Sequence, residues 1–282
     1  MLSLLEIIKK TTDFFAAKNI ESARLNTELI VGHALGLKRM ELYLQFERLL
    51  TEAELEKIRP LVRRRAQREP LQYILGETDF CGLRLKVDHR ALIPRPETEL
   101  LVERVIAACV TPPATILDLG TGTGAIALAL AQQFADARVT AVDRSDDALA
   151  LAKENGERCG FGDRVRWLKS DWFSAIPAED KYDLIVSNPP YLTAEETAET
   201  APEVREFEPV SALTSGGADG LDDLRAIFTG AATRLTAGGV LAVETGIAQH
   251  AALRALAEEL GFTRVESQQD LTERDRFVIA WR

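Results

Sequence analysis

A chain of 282 residues, 46% hydrophobic and 28% charged with no excess of Pro or Gly, can hold one large α/β domain and a small one, each with its own core. Its three cysteines, Cys81, Cys109 and Cys159, are far apart and odd in number, which argues against a disulfide framework, and its three histidines share no metal-ligand spacing, so no metal is expected. The net charge of −10 is uneven: residues 1–76 carry 13 Lys/Arg and 10 Asp/Glu, whereas the remaining 21 Lys/Arg and 34 Asp/Glu leave −13, a poor match for nucleic-acid binding.

Residues 1–19 interleave Glu6, Lys9, Lys10 and Asp13 with apolar positions, unlike a signal peptide. The most continuous apolar stretch, 125–131, is far below the ~20 residues of a membrane helix, so a cytoplasmic protein is expected. Leu4, Leu5, Ile8 and Phe15 recur near helical spacing, as do Leu25, Leu29, Ile30 and His33 ahead of Gly36. Thr51-Glu52-Ala53-Glu54 reads as a capping box opening a helix that turns Leu55, Ile58, Leu61 and Val62 inward and stops before Pro70. Residues 1–72 thus read as a small all-α domain, with Arg63-Arg64-Arg65 as a solvated helix face. Residues 73–93 alternate like strands around Phe80 and 83–87, with Gly76 and Gly82 as breaks, and read as a β-hairpin connector.

Residues 94–282 form the larger domain. Pro94-Arg95-Pro96-Glu97 leads into a helix carrying Leu100, Leu101, Val105 and Ile106. Strands are then expected at 115–119, 138–142, 165–168, 184–187, 240–244 and 277–281, with helices from Ala125, Ser145 and Gln249. Alternating strands and helices imply a mostly parallel sheet covered on both faces.

Asp118-Leu119-Gly120-Thr121-Gly122-Thr123-Gly124 joins the first of these strands to its helix, where a doubly wound sheet brings its backbone close to a ligand. The spacing is G-x-G-x-G, not the G-x-G-x-x-G of a dinucleotide loop, which disfavours a dehydrogenase. Asp143, ending the second strand, can accept bonds from both ribose hydroxyls of an adenosine cofactor. After the third strand, Asp171 can receive the adenine amino group and Trp172 can cover the ring, although a lone Trp is more often a core residue.

Asn188-Pro189-Pro190-Tyr191 ends a buried-type strand abruptly, because two prolines cannot extend a sheet interior. A planar amide or aromatic amino nitrogen is a poor nucleophile. The Asn188 side-chain oxygen and the Pro189 carbonyl can each accept one of its N–H hydrogens, fixing the nitrogen and aiming its lone pair at a sulfonium methyl. Tyr191 can pack against the flat acceptor group, and no strong general base is needed before attack.

With these motifs, the chain resembles the release factor glutamine methyltransferases, the HemK/PrmC family. The likeness adds Glu69 to Gly76, Ile93-Pro94-Arg95-Pro96-Glu97-Thr98-Glu99, Phe207-Glu208-Pro209 and Gly217 to Leu221 in their order along the chain. It implies an α/β fold: a seven-stranded Rossmann-like class I methyltransferase domain with an antiparallel last strand, preceded by the small all-α N-terminal domain and the hairpin connector. It further implies S-adenosylmethionine held by Gly120, Thr121, Gly122, Thr123, Gly124, Asp143, Trp172 and Asn188, a set that Asp171 joins by its place after the third strand. Residues 188–191 would meet the glutamine of the Gly-Gly-Gln motif of peptide chain release factors, and the helical domain would help hold that factor. A monomer is expected. The chain departs from the family pattern at Asp270 to Arg276, which lacks a central glycine, and at Thr245, where an aliphatic residue is common. Arg95, Glu97 and Glu244 are candidates for the substrate entrance or for structural roles. Two alternatives stay open: an N6-adenine methyltransferase acting on DNA or RNA, and a binding module without catalysis.

Overall fold

The apolar run ending at Leu119 is a central strand of a seven-stranded sheet in the computed structural model, which describes residues 2–282. The chain divides into two compact units, one reaching to Gly76 and including Ala201–Phe207, the other made of Glu77–Thr200 and Glu208–Arg282.

In the first unit the capping box forms as the sequence predicts: the Thr51 hydroxyl accepts from the Glu54 backbone N–H, and Glu54 accepts from that of Thr51 at 2.9 Å. The helix it opens, Glu52–Ala66, turns Ile58 onto Leu4, Ile8, Val31, Leu42 and Leu50. Arg65 departs from the expected solvated face. It is buried, donating to Asn26 Oδ1 at 2.7 Å and to Glu203 Oε1 at 2.9 Å, while Arg68 bonds the other Glu203 oxygen at 2.8 Å. A charge run does not reveal partners 39 and 138 positions away.

The second unit opens with the hairpin of β1 (Glu77–Phe80) and β2 (Leu83–Lys86), whose turn residues Cys81 and Gly82 both have positive φ, as a two-residue hairpin loop requires. The large sheet contains β3 (Thr115–Leu119), β4 (Arg138–Asp143), β5 (Val165–Lys169), β6 (Tyr182–Ser187), β7 (Leu235–Glu244), β8 (Arg264–Gln269) and β9 (Asp275–Trp281), in the order β5-β4-β3-β6-β7-β9-β8. All pairings are parallel except those of β9, which is antiparallel to both β7 and β8. Neighbouring residues along a strand supply opposite cores. Ile116, Leu184, Ala242 and Ile279 pack with the helices Pro96–Ala108 and Ala125–Gln133, whereas Leu117, Ile185, Leu241 and Val278 pack with Asp222–Arg234 and His250–Glu259. This two-sided burial makes the strands read as continuous apolar runs.

Strand order reverses direction beside β3, whose neighbours are β4 and β6. Parallel register aligns Leu119 with Val142 and Ser187, so the loops after all three strands open at one edge. That crevice is where open α/β sheets bind ligands.

Candidate active site

Three glycines shape the loop after β3. Gly120, Gly122 and Gly124 have φ of +70°, +55° and +83°, a region that L side chains enter only with strain. Space constrains two of them as well: a Cβ at Gly120 would lie 3.3 Å from the Trp172 ring, and one at Gly124 would lie 3.1 Å from Trp167. The loop is anchored at both ends. The Thr121 hydroxyl donates to Asp118 Oδ2 at 2.6 Å, and that oxygen also accepts the backbone N–H of Ala127 in the first turn of the following helix. Asp118 is fully buried, and desolvation pushes its pKa up to about 7. Asn155, also fully buried, donates to the carbonyls of Thr123 at 2.9 Å and Lys86 at 3.0 Å, fastening the loop to the hairpin.

Asp143 sits opposite, at the end of β4. One carboxylate oxygen accepts the Gly122 N–H at 2.9 Å and the other the Ser145 N–H at 2.9 Å. A carboxylate offers about four lone-pair sites, so one on each oxygen remains for a pair of ribose hydroxyls. Burial raises the Asp143 pKa, against the two backbone donors. Trp172 adopts φ of +46° and is held there by its indole N–H, which donates to Asp223 Oδ1 at 3.1 Å.

These groups line a single cleft of about 270 Å³, close to the lower end of the roughly 300–1,000 Å³ of small-molecule sites. Gly120, Thr121, Gly122, Thr123, Asp143, Asp171, Trp172, Asn188 and Pro190 face it, and Arg95 and Thr98 join them. Gly124, Pro189 and Tyr191 are not among the residues that line it. Arg95 is held by Glu208, whose buried carboxylate accepts from Arg95 Nη2 at 2.6 Å and from the Ile93 N–H at 3.2 Å.

At the end of β6 the two prolines are buried and Asn188 is half-buried. The Asn188 Nδ2 donates to Thr98 Oγ1 at 2.9 Å, the Thr98 hydroxyl donates to Glu244 Oε2 at 2.8 Å, and the Tyr191 hydroxyl donates to Glu244 Oε1 at 3.1 Å. No donor among the described residues bonds Asn188 Oδ1, which leaves it for an incoming N–H. Burial raises the pKa of both Glu244 and Tyr191, and the two hydroxyl bonds to Glu244 oppose that rise in the carboxyl. Arg276 lies over the Tyr191 ring, 5.9 Å from its centre.

Sequence reasoning left Thr98, Asp118, Asn155 and Asp223 without roles. Thr98 and Asp118 lie inside quoted motifs, where their positions are a usable signal. Asn155 and Asp223 sit on helices with no local pattern to mark them. Among the described residues no three His, Cys, Asp or Glu side chains gather as a metal site, and no helix is long and apolar enough to cross a membrane.

Comparison with known proteins agrees with this architecture. Residues 6–76 match the family model of the PrmC N-terminal domain, and residues 96–219 match that of the methyltransferase small domain. The chain is 43% identical to the release factor glutamine methyltransferase of Geobacter sulfurreducens over 273 residues, 97% of this chain and 94% of that one. It is 43% identical to the protein of that name from Chlorobaculum tepidum, with 97% and 95% covered. Its fold is shared with a methyltransferase from Pyrococcus furiosus, at a TM-score of 0.54 and 20% identity over 71% of this chain and 89% of the other. The seven-stranded methyltransferase domain, the helical N-terminal domain and near full-length identity above 40% place the chain in the release factor glutamine methyltransferase family.

Proposed function

We propose that this chain transfers the methyl group of S-adenosylmethionine to the side-chain amide nitrogen, N5, of the glutamine in the Gly-Gly-Gln motif of peptide chain release factors. The observation that carries the reading is the Asn188 amide lining the glycine-loop cleft, with Nδ2 tied to Thr98 and Oδ1 left to accept an N–H.

The cleft suits the cofactor. Asp143 would take the ribose hydroxyls, Gly120 to Gly124 leave backbone room beside it, and Trp172 with Asp171 would flank the adenine. When bound, the cofactor supplies an electrophilic methyl on a sulfonium and leaves as S-adenosylhomocysteine. The protein's task is to place the nitrogen. Asn188 Oδ1 accepts one amide N–H and the Pro189 carbonyl the other, which lowers delocalisation of the lone pair and points it along the line of attack. The nitrogen held by these two acceptors would receive the methyl and then shed one proton to water. The rigid Pro189-Pro190 turn holds both acceptors still.

The helical unit would dock the release factor, with the protein acting as a monomer in the cytoplasm. The three free thiols suit a reducing compartment. An adenine flipped from DNA or RNA could use the same two acceptors, but the −13 of residues 77–282 opposes the phosphate contacts such a substrate needs. Incubation with a release factor and the cofactor, followed by peptide mass spectrometry, is expected to show one added methyl on the Gly-Gly-Gln glutamine. Methylation of an adenine oligonucleotide in its place would overturn the assignment.

A further inference from the structure

A second layer stands behind the acceptor turn, assembled from distant parts of the chain. Thr98 lies in the first turn of the helix Pro96–Ala108, Glu244 ends β7, and Asn188 follows β6. Their hydrogen bonds run in series, 2.9 Å from Asn188 to Thr98 and 2.8 Å from Thr98 to Glu244. Thr98 and Glu244 are almost sealed from water, at 4% and 2% exposure. Solvent therefore does not compete to reorient them.

We propose that Thr98 and Glu244 are positioning residues that set which end of the Asn188 amide faces the acceptor nitrogen. The ionised carboxylate, which the Thr98 and Tyr191 hydroxyl bonds favour against burial, is an acceptor only, so the Thr98 hydroxyl then spends its single proton on Glu244. Thr98 can then only accept from Asn188, and the group that supplies a hydrogen there is the NH2 of the amide. The carbonyl oxygen is left pointing the other way. With the amide flipped, two acceptors would face one another at Thr98 and a donor would confront the substrate N–H, so neither bond could form. The same carboxylate accepts from Tyr191 at 3.1 Å, which ties both ends of the Asn188–Tyr191 turn to one buried group. Glutamine at 244 lacks this polarity, because its amide can face Thr98 with either end.

The inference rests on the methyl-transfer reading above, and its test separates the two. Thr98→Val keeps the shape and removes the hydroxyl, Thr98→Ser keeps the hydroxyl, and Glu244→Gln keeps the shape and removes the obligate acceptor. With the full chain, cofactor and release factor, Thr98→Val is expected to lower kcat by about 100-fold, the scale of a small misplacement of a reacting group, with KM and cofactor Kd within about threefold. Thr98→Ser restores most of that turnover, and Glu244→Gln lowers kcat by about tenfold through a mixed amide orientation. A substrate-free readout accompanies these rates: the Asn188 side-chain amide NMR signal, identified by its loss in Asn188→Ala. Its protons exchange slowly with water in the native protein and in Thr98→Ser, and rapidly in Thr98→Val. An unchanged kcat together with unchanged exchange in Thr98→Val overturns the positioning role. A native enzyme that leaves the glutamine unmodified, yet whose Asn188 signal depends on Thr98, overturns the substrate assignment and leaves the positioning role standing.

Discussion

Replacing Asn188 by Ala is the most direct perturbation of the acceptor site. It removes the oxygen that accepts the substrate N–H and the Nδ2 donor that reaches Thr98 at 2.9 Å. Loss of one preorganised hydrogen-bonding group at a reacting centre costs on the order of 100–1,000-fold in kcat, about 2.7–4 kcal/mol of the barrier. The folded state loses less. Thr98 keeps its bond to Glu244, and Asn188 is only half-buried, so stability falls by about 1 kcal/mol. Cofactor affinity rests mainly on Asp143 and the glycine loop and should weaken by less than about tenfold, or 1.4 kcal/mol. Single-turnover methylation of a release factor gives the first quantity, calorimetric titration with S-adenosylhomocysteine the second and thermal denaturation the third. A variant whose single-turnover rate matches the parent protein would refute a role for Asn188 in placing the nitrogen. One that fails chiefly in cofactor binding would move it from acceptor to cofactor site.

Asp143→Ala strips the acceptor from the backbone N–H groups of Gly122 and Ser145, and calorimetry should show cofactor Kd rising by about tenfold or more while the fold persists. Gly230→Ala would ordinarily strengthen a helix by about 1 kcal/mol, but here the new Cβ would come 2.2 Å from the buried Phe173 ring. Denaturant titration should therefore find a loss of about 1–3 kcal/mol, the scale of overpacking. Asp118 carries a pH signature. Its folded pKa of about 7 stands above the 3.8 of an ordinary aspartate, so between these values the folded state binds more protons and stability falls as pH rises. Asp118→Asn, which can still accept from Thr121 and Ala127, should remove a decline on the order of 4 kcal/mol between about pH 4 and 7. Parallel slopes in the two proteins would show that Asp118 does not titrate there.

The strands that carry the site were legible because their signals are local. β3 matches the apolar run 115–119, and its helix begins at Ala125 directly after the third loop glycine. The two prolines after Asn188 keep β6 from running on past Ser187, because they lack backbone donors. Less of the periphery could be read. β8, with Arg264, Glu266, Ser267, Gln268 and Gln269, is an edge strand of polar residues and lacks an apolar alternation. β7 begins at Leu235 and runs through Gly238-Gly239, a pair that reads as a turn. The helix Asp222–Arg234 carries Leu224, Ile227, Phe228 and Ala231 at helical spacing, a pattern present in the sequence but left unassigned there.

By itself the sequence determined the chemistry: glycines where φ must be positive, a carboxylate after the second strand, and an amide followed by prolines at a strand end each have local causes. Tertiary structure decided orientation. Thr98 meets Asn188 across 90 positions and Glu244 across 146, and Trp172 finds Asp223 across 51. No periodicity encodes such pairs, because they arise when separate strands and helices bring their ends to one edge of a sheet. The Asn-Pro-Pro-Tyr turn supplies the acceptor groups, and the buried hydroxyl and carboxylate behind it fix which way they face.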